Sequence, residues 1–74
     1  MSQEVANRIE YTVMCIGEFS ERYSLSVYAA YCYLKKYGGI ALMKDCYDAM
    51  HLQSIDDAVD DLTVLCHRNG GNIA

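Results

Sequence analysis

The chain has 74 residues and a formal net charge of −4. A chain this short forms one domain and buries only about 60% of its unfolded surface, so it cannot hold a deep substrate cavity beside a full core. The charge argues against a nonspecific nucleic-acid binder, which needs a basic stripe to displace counterions; it favours solubility and contact with basic protein surfaces.

Apolar and aromatic residues make up 53% of the chain, including seven tyrosines. That is rich for a domain whose surface is mostly exposed, and it points to a self-association or partner surface. Four cysteines, Cys15, Cys32, Cys46 and Cys66, include no CxxC pair. The opening stretch MSQEVANRIE is polar and lacks the apolar centre of a secretory leader. No run of about 18 apolar residues suggests a membrane span. The expectation is a cytoplasmic protein with four reduced thiols.

In chain order, Ser2 is a candidate cap for a first helix running to about Glu21, with Val5, Ile9, Val13, Ile16 and Phe19 or Ser20 on one face. Gly17 interrupts that pattern at a cost on the order of 1 kcal/mol against alanine, so either it is tolerated or another helix approaches closely. Ser24 and Ser26 are both credible caps for a second helix over Val27 to Tyr37; with Ser24 as cap, Tyr23 and Tyr28 fall at staple positions. Val27, Ala30, Tyr31 and Leu34 form its inward stripe, and Gly38 fits a left-handed stop. A short third helix is expected from Ile40 to about Met50, with Lys44 and Asp48 as an i,i+4 pair. Ser54 and Asp57 approximate a capping box for a last helix, with Ile55, Val59, Leu62 and Leu65 or Cys66 inward and Gly70 as the stop. Residues 71–74 are expected to fray. The whole reads as a single all-α domain over residues 1–74, a compact small bundle of four helices, two of them short.

Asp56, Asp57, Asp60 and Asp61 are the densest chemical signal. DDAVD matches the DDxxD pattern of prenyl-diphosphate enzymes, but the large helical cavity and second metal motif those enzymes need are missing. On one helix the four carboxylates form two rows, and each row carries like charges at i,i+4 that repel by a few tenths of a kcal/mol. A solvated face does not require that stacking, whereas a basic partner surface would use it. His51, His67 and the cysteines show no metal-ligand spacing, so neither metal nor cofactor is expected. No orienting third group accompanies a Cys–His pair, and the two Gly-Gly pairs lack the GK[ST] of a phosphate loop. The helix–Gly-Gly–helix unit has the outline of a helix-turn-helix, but its second helix carries Asp45 and Asp48 against a single Lys44.

The segments LSVYAAYCYLKKYGGI, CYDAMHLQS and SIDDAVDDLTVLCHRNGG resemble a family of short bacterial domains of unknown function. The resemblance runs through Tyr33, Leu34, Tyr37, Gly38, Gly39, Tyr47, Asp48, His51, Ser54, the four aspartates and Leu62. Members are often encoded beside an ADP-ribosyltransferase-like protein, which implies an accessory or antitoxin-like role. It also singles out Tyr47, Asp48 and His51, which helical spacing gathers into a polar junction ahead of Ser54; a partner or ligand contact is the other reading.

The function expected is therefore a non-enzymatic, acidic protein-interaction module, with a toxin-like enzyme as partner and a homodimer as the oligomeric form. Its partner-binding residues would be Asp56, Asp57, Asp60 and Asp61, with Tyr28 and Tyr33 as exposed aromatic anchors. The alternatives are a small DNA-binding regulator and a metal-binding helical domain.

Overall fold

The structure, a computed structural model, describes residues 2–73. Five helices appear among them: α1 (Gln3–Arg22), α2 (Val27–Lys36), α3 (Gly39–Asp45), α4 (Tyr47–Met50) and α5 (Ile55–Arg68). No strand is present among the described residues, so the chain is a small all-α bundle. α1 packs against α2 and α5, and α3 closes the bundle against all three. Phe19, Leu34, Met43, Val59 and Leu62 meet in the core with the thiols of Cys15 and Cys66, all essentially inaccessible.

Three helices start on serine. The hydroxyl of Ser2 accepts the Val5 amide at 3.2 Å, Ser26 that of Ala29 at 3.0 Å, and Ser54 that of Asp57 at 3.1 Å. Each satisfies one of the four amides a helix N-terminus leaves unpaired. Ser24 is not a cap, and the Tyr23–Tyr28 staple built on it falls away. Ser24 takes a left-handed φ of 55° and ends α1 instead. The Leu25 amide reaches back to the Ser20 carbonyl at 2.8 Å, and that of Ser24 to Glu21 at 3.4 Å, the pairing of a Schellman stop.

The expected third helix is two helices. Cys46 leaves helical geometry at φ −113°, ψ 21°, and its carbonyl restarts the chain by accepting the Met50 amide at 2.9 Å. The break turns Tyr47 onto Tyr11, with ring centroids 5.5 Å apart, and moves Asp48 away from Lys44 to Arg8, at 3.6 Å. The Lys44–Asp48 pair is therefore not made.

Two inward stripes also differ from expectation. On α1 the buried residues are Tyr11, Cys15, Ile16, Phe19 and Ser20, while Val5, Ile9 and Val13 are exposed. The cause is rotation: Tyr11, Cys15 and Phe19 follow one another at steps of four and turn that row of α1 to the core, which leaves the Val5, Ile9 and Val13 row at the edge of the packed face. On α2, Ala30 and Leu34 are buried, but Val27 and Tyr31 are turned outward and Tyr33 and Tyr37 take their place against the core.

Two residues of the C-terminal segment make contacts with the bundle. Gly70 supplies the left-handed φ of 102°, and the Gly71 amide returns to the Cys66 carbonyl at 2.9 Å. Gly71 is buried against the Tyr33 ring, in the space a side chain would need. The Tyr33 hydroxyl accepts the Ile73 amide at 3.3 Å. Ala74, the last residue of the expected tail, lies outside the described residues. Gly38 takes φ 90° at the end of α2, and the Asn69 side-chain amide donates to the Tyr37 carbonyl at 2.6 Å. The last helix thereby caps the second.

Candidate functional site

The four aspartates lie exposed on the first two turns of α5, but the two rows meet different surroundings. Arg22, at the end of α1, donates to the Asp60 carboxylate and to the Asp56 carbonyl at 3.2 Å, and stands 3.8 Å from the Asp56 carboxylate. One guanidinium thus offsets the repulsion within the Asp56/Asp60 row, and the hydrogen bond to Asp60 raises its pKa further. Asp61 accepts the Gln53 side-chain amide at 2.9 Å. Among the described residues neither Asp57 nor Asp61 has an ion-pair partner. The first row clamps α5 to α1, and the second presents its charge to solvent.

The two tyrosines expected as anchors separate as well. Tyr28 is 77% exposed on the first turn of α2, and hydrogen bonding to the Cys32 thiol raises its hydroxyl pKa. It takes no part in the α5 face. Tyr33 is no free anchor: its ring stacks on Phe19 at 5.7 Å, lies 4.8 Å from Tyr37, and its hydroxyl is used by Ile73.

Tyr47, Asp48 and His51 do come together, around a residue that sequence reasoning passed over. The Arg8 guanidinium sits 4.7 Å from the Tyr47 ring centroid, 3.2 Å from Glu4 and 3.6 Å from Asp48, and donates to the Lys44 carbonyl at 3.4 Å. The other side of the junction is the His51 ring, stacked on Tyr47 at 4.5 Å and 7°. His51 Nδ1 lies 2.7 Å from the Tyr47 carbonyl, an acceptor only, so Nδ1 carries the proton. The junction therefore fastens α4 to α1. The Glu4–Arg8 spacing was a readable local signal; the contact of Arg8 with a helix 36 residues away was not.

The thiols divide by burial. Cys15 and Cys66 are enclosed, Cys32 and Cys46 exposed. Burial pushes the Cys15 and Cys66 thiols up, and the Tyr11 hydroxyl and the Gly39 amide respectively pull them only partly back. A raised pKa suppresses the thiolate, the reactive form. Among the described residues no three His, Cys, Asp or Glu side chains gather as a metal site. An apolar groove of about 430 Å³ runs between α1, α2 and α3, lined by Ile9, Val13, Ile16, Tyr31, Ile40 and Met43, with Arg8 and Lys44 at its edge. A second hollow continues it toward Val27 and Tyr28.

A family model described as a protein of unknown function, DUF3791, matches residues 10–69. The chain belongs to that family. The DUF3791 match begins inside α1, ends at the C-cap of α5, and takes in the four aspartates, Tyr28, Tyr33 and the Tyr47–His51 junction. No curated protein and no solved structure matches the chain. No described helix is long and apolar enough to cross a membrane.

Proposed function

We propose that this DUF3791 chain is a non-enzymatic protein-interaction module that serves as an accessory or antitoxin-like partner of a toxin-like enzyme encoded beside it. The observation that carries the reading is the Asp57/Asp61 row. Two like charges stacked at i,i+4 oppose the helix they sit on, and among the described residues no cation offsets them as Arg22 offsets the neighbouring row. A basic partner surface would make that offset and would be steered to the row in the encounter. The raised thiols of Cys15 and Cys66 support a structural rather than nucleophilic use of those cysteines. A DNA-binding reading has less support, because α3 has only seven residues and its last turn sets Lys44 beside Asp45.

The test is capture of the neighbouring gene's product by the wild-type chain and by an Asp57→Lys/Asp61→Lys variant, with circular dichroism confirming that α5 is retained. The variant should lose about tenfold or more in association rate at low salt, and its remaining binding should depend less on salt. Equal capture by both proteins would end the acidic-row reading. A gel shift at physiological salt with DNA from the chain's own operon would replace it with the DNA-binding one.

A further inference from the structure

The face formed by α1 and α2 beside the groove carries most of the apolar surface that the fold leaves open. Val5, Ile9 and Val13 follow one another at steps of four and make a ridge along α1. Val27, Tyr28 and Tyr31 face the same hollow from α2. Val13 is 60% exposed and Val27 60%. We infer that this face docks a second copy of the chain, as an isologous dimer in which the α1 ridge of each protomer enters the groove of the other.

Three observations select that occupant. The first is shape. Ridge and groove lie side by side and share Ile9 and Val13 as their common wall, so one two-fold rotation fills both grooves. Ridges of residues at i±4n on two helices pack against each other in the commonest crossing class. The second is area. The six exposed side chains offer on the order of 600 Å² per copy, about 1,200 Å² for the pair, which is where stable specific interfaces begin.

The third is charge. A second copy brings another net −4, so copies should associate only where their carboxylates are kept apart. α5, which carries four aspartates, contributes no residue to the groove or to the hollow beside it. The charged side chains that line the groove are Arg8, which is paired with Glu4 and Asp48, and Lys44; Lys35 stands nearby with its Nζ 5.9 Å from the Tyr31 ring centroid. Gly17 adds a detail on the same side of α1. It lies one turn beyond Val13, and nothing within 4 Å would meet a side chain there. Its helix-weakening effect has no return inside one protomer, and a close helix crossing in a dimer supplies one.

Sedimentation of the full chain tests the inference. The wild type should sediment as a dimer at about 100 µM and dissociate on dilution. Val13→Glu and Gly17→Leu should each weaken the dimer by at least about tenfold with unchanged helical circular dichroism. Val64→Glu, at an exposed α5 position outside the face, should leave it intact. A Cβ at Gly17 meets nothing within 4 Å in the protomer, so Gly17→Leu stays informative if Val13→Glu fails to fold. A wild type that remains monomeric at millimolar concentration, or variants that dimerise like it, would overturn the inference. The Asp57/Asp61 row is untouched by these variants, so partner capture succeeds or fails separately.

Discussion

Tyr11 shows what a single residue owes to its surroundings. Its ring is 8% exposed and meets Tyr47 edge-on, yet its hydroxyl is buried without a hydrogen bond of normal geometry. The Cys15 thiol, a weak partner, stands near it, and burial first and Cys15 second push its pKa well above the usual tyrosine value. An orphaned buried hydroxyl costs about 1–3 kcal/mol, while the ring itself packs well. Tyr11→Phe should therefore leave stability unchanged or raise it by about 1 kcal/mol, read from urea unfolding. A loss of that size would mean the hydroxyl has a partner. At this scale the legible residues were those with local duties. Ser2, Ser26 and Ser54 reach amides three positions on, so their roles lie within one turn of sequence. Arg8, Tyr11 and Tyr33 each also make a contact more than thirty positions away, with Lys44, Tyr47 and Ile73 respectively, and no local pattern encodes those contacts.

Between elements, Arg22 joins the end of α1 to the start of α5 across 38 residues. Its removal both breaks the link and restores the repulsion between Asp56 and Asp60. Arg22→Met, which keeps the apolar stem, should lower unfolding free energy by about 1 kcal/mol in low salt and by less in roughly 0.5 M salt, because these are partly exposed charges. The check is urea unfolding at both ionic strengths, and a loss that ignores salt would assign the effect to packing. The α5 stripe of Val59, Leu62 and Cys66 was legible because α5 is covered along its whole inner side. The α1 stripe was misread because periodicity reports which residues share a face, not which of two adjacent apolar rows the neighbours will cover. The break at Cys46 was hidden for a related reason: Ile40, Met43, Tyr47 and Met50 keep helical spacing through it, and only the tertiary contacts of Tyr47 and Asp48 reveal the turn.

For the whole molecule, the groups shifted by burial all move in one direction. Cys15, Cys66 and Tyr11 hold their protons more tightly in the fold than in the unfolded chain, whose thiols titrate near pH 9.0 and tyrosines near 10.0. As pH rises past those values the unfolded chain loses protons first, which favours unfolding. Their contribution is fully present below about pH 9 and is lost as pH climbs through the raised folded values. The urea midpoint should therefore hold between about pH 7 and 8 and fall above 9. A thiol reagent at neutral pH should modify Cys32 and Cys46 in the native protein, and Cys15 and Cys66 only on unfolding. Rapid labelling of all four would contradict the core described. The all-helical class was legible from the absence of proline and of strand alternation; the division of the aspartates into a clamped and an open row required the tertiary position of Arg22.

The cap that Asn69 places on α2 also bears on the order of assembly. The amide that ends α2 comes from 32 residues further along the chain. Loop-closure entropy for nearly half the chain must be met before that carbonyl finds its partner. The last turn of α2 consequently matures with the arrival of α5 rather than with its own nucleation. The cap on the Tyr37 carbonyl is thus a tertiary contact, and its loss should track the departure of α5.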